Sequence, residues 1–227
     1  MLYLRLFGHR PHAQGPAIAP TGTTRDGQPA RGQRAPHQLR PGPHRLSRET
    51  VVAHQQRRIL AALAEAIAEH GYGEVTVERI VRRAGVSRKT FYEINGGLEQ
   101  WLLVLCGAIG EDLLALLASA RAGLPESDRP RALGTTLAGF CAARPDDARI
   151  CFVESLAGGR SARAWREDMI GRLCAELAGD PASLTARAAL GATVEIALGG
   201  QARRQPAAVA ALVAHVLAGD DAGGRPR

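Results

Sequence analysis

"AGVSRKTFYEINGG", residues 84–97, decides how this chain is read. A Gly-centred turn leads to Ser87. Two adjacent cations follow, Arg88 and Lys89, then Thr90, the aromatic pair Phe91 and Tyr92, and an Asn-Gly-Gly break. A helix of two turns is not stable alone in water, so something must hold it. Upstream, "VTVERIVRRAG" (75–85) predicts a helix with Thr76 as its N-cap and Glu78 in the first turn, where a negative charge suits the helix dipole. Val77, Ile80, Val81 and Ala84 form its buried face, and Gly85 ends it. Val86 points inward, and Ser87 caps the next helix, Arg88 to about Glu93. Two helices joined by a few residues including Gly have the layout of a helix-turn-helix.

That layout places specific demands on its second helix. The helix must enter a major groove by its N-terminal end. Ser87 leaves backbone N–H groups at that end, where the positive dipole suits a phosphate. Arg88 and Lys89 reach phosphates or guanine O6 and N7. Thr90 bonds a phosphate or touches a thymine methyl, and Tyr92 packs while offering its hydroxyl to the backbone. Phe91 pins the helix to the core. The plainer alternative is a solvated helix face with an aromatic anchor, which the Arg88-Lys89 pair alone would favour. The turn and the preceding helix tip the reading towards duplex DNA.

The rest of the chain sets the context. It has 227 residues, 45% hydrophobic and only 4% aromatic, so the core is built from Ala, Leu, Val and Ile. Ala and Leu favour helices, and strand-forming runs are scarce. The formal charge is +7, but residues 1–48 alone carry eight arginines against Asp26, and the remainder is neutral. Residues 8–46 are dense in Pro, Gly, Arg, His and Gln and hold few aliphatics, so they are expected to be disordered. A basic arm of that kind adds non-specific DNA affinity; an upstream misassigned start codon is the competing explanation. His9, His12, His37 and His44 lack metal-ligand spacing. Cys106, Cys141, Cys151 and Cys174 form no C-x-x-C pair and sit among apolar neighbours, as buried free thiols in a reducing compartment would. "MLYLRLF" is too short for a signal-peptide core, and no run reaches about 18 consecutive apolar residues, so no membrane association is expected.

Helices are expected throughout. Ser47 or Thr50 caps a long one, "VVAHQQRRILAALAEAIAEHGY", whose apolar set Ile59, Leu60, Leu63 and Ile67 recurs at helical spacing, with Gly71 as its stop. A strongly apolar helix spans 97–121, and "AGLPESDRP" breaks it. Another helix covers 130–143. "RPDDAR" (144–149) reads as a turn and "ICFVESLAGG" (150–159) as a short helix. Segment 160–179 is amphipathic. The last two, within 180–200 and 206–217, are apolar over much of their circumference and so need more than one buried side. For terminal helices a second subunit is the natural cover. The expected fold is therefore all-α: a disordered basic tail (1–46), a three-helix helix-turn-helix domain (47–96), a larger helical effector and dimerisation domain (97–220) and a disordered C-terminus (221–227).

The start "RRIL", then "EHGY", "VTVERIVRRAGVSRKTFYE" and the aliphatic opening of the long fourth helix resemble the DNA-binding domain of the TetR family of bacterial regulators. The resemblance covers about 57–101, and "RLSRETVVAHQQRRIL" is similar to a subgroup from high-GC Gram-positive bacteria. It implies a homodimer, a palindromic double-stranded DNA operator, a small-molecule effector and, most commonly, repression in the cytoplasm, without a cofactor. It places DNA contacts on Thr76, Ser87, Arg88, Lys89, Thr90 and Tyr92. Two positions depart from the family pattern. Asn95 stands where a Phe is usual and Leu98 where a Lys serves the phosphate backbone. The second change removes about one ionic contact per subunit. The first removes a wedge that Trp101 is placed to refill.

Candidates for an effector pocket are Trp101, Phe140, Phe152, Trp165 and Met169, the large or soft side chains beyond the helix-turn-helix, with Glu154 and Glu195 inside apolar segments. A buried carboxylate needs a partner; each of the two either orients a polar or cationic ligand or forms an ion pair on an exposed or interface stripe. No G-x-S-x-G, P-loop, G-x-G-x-x-G or H-E-x-x-H motif supports an enzyme. A helical enzyme and a TetR-like interaction module without specific DNA binding are the two alternatives.

Overall fold

The computed structural model describes residues 47–219; the expected tails, 1–46 and 221–227, lie outside them. Ten α-helices and three short 3₁₀ turns are present among the described residues, with no strand. An N-terminal helix-turn-helix domain is followed by a larger helical domain.

Helix α1 (Arg48–His70) starts at Ser47, whose Oγ accepts from the Thr50 N–H at 3.2 Å. It ends at Gly71, held at φ 78° with its N–H on the Ile67 carbonyl. Ile59, Leu60, Leu63 and Ile67 are fully buried, as their spacing requires. Helices α2 (Val77–Ala84) and α3 (Arg88–Asn95) close the first domain, with Ile80 and Phe91 fully buried against α1. Helix α4 (Leu98–Arg121) then carries the chain away as the spine of the second domain. By length and composition alone α4 could cross a membrane, with mean hydropathy 1.9 over its most apolar window. In the fold Leu105, Ile109, Leu113 and Leu117 of α4 are core residues, so packing accounts for that apolarity.

Around α4 lie α5 (Arg129–Ala143), α6 (Pro145–Phe152), α7 (Gly159–Ala178), α8 (Leu184–Leu198), the one-turn α9 (Gln201–Arg204) and α10 (Pro206–Ala218). One expectation is corrected here. "RPDDAR" is not a turn: α6 begins at Pro145 and ends at Phe152, and a 3₁₀ turn, Glu154–Ala157, follows. Pro at the first helical position with Asp146 and Asp147 in the first turn is the composition of a helix N-terminus, where the proline needs no N–H partner and the carboxylates face the dipole. A buried ionic group also sits in this region. Arg144 pairs with Asp147 at 2.6 Å and with Asp112 at 3.5 Å, and its guanidinium lies 4.8 Å from the Phe140 ring centre. All four cysteines are free and buried, and burial pushes the Cys141 thiol up to about 12.

Helix α5 crosses α10 closely. A Cβ at Gly134 would sit 2.8 Å from the Ala210 carbonyl oxygen and 2.9 Å from the Ala214 nitrogen. Both are backbone atoms, so neither can swing aside. Gly139, on the same helix, has no atom within 4 Å of its would-be Cβ. Gly139→Ala should therefore stabilise by about 0.5–1 kcal/mol through helix propensity. Gly134→Ala should destabilise, because overpacking of about 1–3 kcal/mol exceeds that gain. Urea unfolding midpoints of the two variants check the opposite signs.

Candidate nucleic-acid interface

The recognition element is built from caps and one aromatic contact. Thr76 Oγ1 accepts from the Arg79 N–H at 3.3 Å and starts α2. Gly85 ends it in the left-handed conformation (φ 61°, ψ 41°), where only glycine is at ease, and the Val86 N–H returns to the Val81 carbonyl at 3.1 Å. Ser87 Oγ then accepts from the Thr90 N–H at 3.0 Å and lies 2.9 Å from the Thr90 hydroxyl. The reversal between α2 and α3 is thus fixed by three adjacent residues. Arg58 of α1 adds a brace that the sequence does not announce, donating to the Gly85 carbonyl at 2.9 Å. Arg83 similarly ties α2 to Glu69 of α1 at 2.8 Å, and that hydrogen bond holds the Glu69 carboxyl below its usual range.

Beneath α3, Phe91 is fully buried and its ring centre lies 5.6 Å from that of Trp101, also fully buried, in α4. The Trp101 indole N–H donates to the Phe91 backbone carbonyl at 3.2 Å. Trp101 therefore wedges α3 against α4. Tyr92 crosses the Phe91 ring edge-on at 5.4 Å and is half exposed. Gly96, at φ 75°, turns the chain from α3 into α4, and Gln100 caps α4 by accepting from the Gly97 N–H at 3.0 Å.

The structure brings Ser87, Arg88, Lys89, Thr90 and Tyr92 to one outward end of α3, with Thr76 exposed at the start of α2. Arg88 and Lys89 are not without neighbours. Arg88 Nε is 4.0 Å from Glu78 and Lys89 Nζ is 3.7 Å from Glu93, with all four side chains more than three-fifths exposed. Exposed pairs of this kind contribute about 0–1 kcal/mol, so a phosphate can displace them. Residues 47–97 hold eight Lys and Arg against six Glu, which makes the surface locally, not globally, basic.

Residues 59–93 match the model for bacterial regulatory proteins of the tetR family. Over these residues the chain is similar to the DNA-binding domain of that family. Similar solved structures include a TetR-like transcriptional regulator from Rhodococcus sp. RHA1, 20% identical, with a TM-score of 0.59 over 79% of this chain and 100% of that one. The fatty acid degradation regulator FadR from Bacillus halodurans is also 20% identical, with a TM-score of 0.58 over 83% of this chain and 100% of that one. A tetR-family regulatory protein from Rhodococcus RHA1 is 18% identical, with a TM-score of 0.58 over 72% and 96%. At these identities the likeness concerns the fold. No curated protein matches the sequence.

The effector candidates stand in several surroundings. Trp101 lies under the helix-turn-helix. Glu154 is bonded across to Tyr72 and paired with Arg149. Met169 fills the notch at Gly110 on α4. Phe140 and Phe152 are buried and Trp165 half-buried. Glu195 lines an open groove of about 400 Å³ between α8 and α10, with Ile196, Val209 and Leu212. Helical spacing marked these residues as large and inward; it carries no information on which of them face one another.

Two substitutions separate the cap from the wedge. Ser87→Ala removes one N-cap and should cost about 1 kcal/mol. Trp101→Ala empties a core site and should cost about 3–5 kcal/mol. Denaturant unfolding followed by far-UV circular dichroism measures both.

Proposed function

We propose that this chain is a ligand-responsive transcriptional repressor that binds a palindromic operator as a homodimer. The observation that carries the reading is the end-on presentation of α3. Its anchor, Phe91, is fully buried while Arg88 and Lys89 stand in solvent beside Ser87-capped backbone N–H groups. That is the arrangement a major groove admits. Residues 47–96 would form the reading domain and 97–220 the effector and dimerisation domain. Thr76 and Ser87 to Thr90 contact phosphates or base edges, and Tyr92 the backbone.

The dimer reading rests on α8 and α10. Both leave apolar faces open, with Leu184, Leu198 and Leu212 exposed by 80%, 42% and 45%. Ala188, Gly191, Ala192, Ala208 and Ala211 lie exposed on the same two helices, small enough for close approach by a second copy. Pairing there sets two α3 helices about one helical turn of DNA, or a multiple, apart. Occupation of the duplex excludes competing proteins, and a ligand favouring a non-binding conformer releases it by its differential affinity. Such a chain acts in the cytoplasm, where its DNA is, and does no catalysis. Neighbouring carboxylates at Arg88 and Lys89, with Leu98 in place of a lysine, favour the second reading, an interaction module with weak DNA affinity.

Selection of genomic fragments by the purified protein, followed by mobility shift, decides between these readings. A specific fragment should be retained, and Arg88→Ala with Lys89→Ala should abolish the specific shift, the residual non-specific binding showing a salt slope lower by about two per subunit. Uniformly weak, fully salt-sensitive binding would favour the module. In sedimentation the chain should be a dimer at micromolar concentration, and Leu212→Glu should yield monomer.

A further inference from the structure

The helix-turn-helix domain is tied to the body of the protein at a second place, far from the α3–α4 junction. Where α1 ends, Gly71 reverses the chain and leaves the Tyr72 N–H at the start of a 3₁₀ turn. Glu154 Oε2 accepts that N–H at 2.8 Å, although the two residues are 82 apart in sequence. The other carboxylate oxygen, Oε1, pairs with Arg149 at 2.7 Å, and the Glu154 side chain is only 11% exposed. A Cβ at Gly71 would stand in ordinary contact with Glu154 Oε2 at 3.5 Å and Arg149 Nη2 at 3.8 Å, so the pair lies directly against the turn.

The segment that carries Glu154 is fastened to the second domain. Arg166 of α7 donates to the Phe152 carbonyl at 2.9 Å and Arg163 to the Leu156 carbonyl at 2.8 Å. The buried Ser155 hydroxyl donates to the Cys151 carbonyl at 2.6 Å. A Cβ at Gly158 would collide with Leu102 of α4, so the loop also fits closely on the spine. On the other side, the Tyr72 ring is buried beside α4, and burial first, then the neighbouring Glu99 and Cys106, raises its phenol. Tyr72 is thus held twice, by its ring on α4 and by its amide on the α6–α7 segment.

We infer that Glu154 is a positioning residue for DNA binding: a catch that fixes the angle of the helix-turn-helix domain on the body and hence the separation of the two recognition helices. It touches no DNA and acts through the Tyr72 amide. Displacement of α6 or the 3₁₀ segment carries the Glu154 carboxylate off the amide, and the domain is then held by the Phe91–Trp101 contact, the Tyr72 ring and the packing of α1 on the body. Arg149 sets the strength of the catch by holding the carboxylate aimed at the amide. The effect on operators rests on the DNA-binding reading above; the catch itself does not.

The test compares the full-length protein with Glu154→Ala, Glu154→Gln and Arg149→Ala in two measurements. In hydrogen exchange, Tyr72 amide exchange should rise at least about tenfold in Glu154→Ala, the scale of a lost bond to a charged acceptor, and less in Glu154→Gln, whose carbonyl still accepts. On fragments retained by the wild type, with half-site spacing varied by one or two base pairs, Glu154→Ala should flatten the spacing preference while the dimer persists, and Glu154→Gln should restore it in part. A merely structural glutamate would lower stability without altering spacing preference. Unchanged Tyr72 exchange in Glu154→Ala, or faster exchange with an unchanged spacing preference, overturns the inference. If the wild type retains no specific fragment, the repressor reading fails, and spin labels at Glu93→Cys decide the catch instead. The native thiols are buried, so the added cysteine labels selectively. A label–label distribution broadened by Glu154→Ala upholds the catch, and an unaltered one refutes it.

Discussion

An eight-residue helix cannot exist by itself in water, and the account of this protein depends on what holds α3 in place. One face of α3 contributes a single fully buried side chain, Phe91, and that ring rests on Trp101. The indole N–H bonded to the Phe91 carbonyl fixes α3 in direction as well as position, since it satisfies an acceptor at the buried side of the helix. Because Phe91 takes the inward side, Arg88, Lys89 and Tyr92 are left on the outward one. The charged end of α3 is a consequence of where its anchor sits.

Two positions beside this contact, Asn95 and Leu98, were expected to lack a hydrophobic wedge and a phosphate-seeking cation. Trp101 packs on Phe91 at this junction. The cation has no substitute among the contacts described, and Gln100 instead uses its carbonyl to cap the Gly97 N–H. Arg88 and Lys89 stand at the outward end of α3 beside Glu78 and Glu93.

Much of this was legible in the sequence, and the limit has a physical form. Caps at Ser47, Thr76 and Ser87, stops at Gly71 and Gly85, and the buried faces of α1 and α2 are local, so residues within one turn of each other encode them. Local rules failed at 144–149, where a proline followed by two aspartates suits a turn and a helix start equally. What could not be read were contacts between distant segments. Arg58 reaching the Gly85 carbonyl, and Glu154 the Tyr72 amide, join residues 27 and 82 apart, and no spacing rule points from one to the other. For the same reason the seven pocket candidates were recognisable as large or inward residues while their individual partners were not.

The central claim is that α3 meets a duplex by its N-terminal end. The N–H groups of Arg88 and Lys89 precede the first intrahelical bonds of α3, so they exchange freely in the absence of DNA. Amide exchange of the full-length protein, with and without a selected DNA fragment, reads this end directly. The account predicts new protection at Arg88 and Lys89 on adding that fragment, and none with unrelated DNA at the same salt. Binding that leaves these amides as exposed as before, with protection appearing on another face, would contradict it.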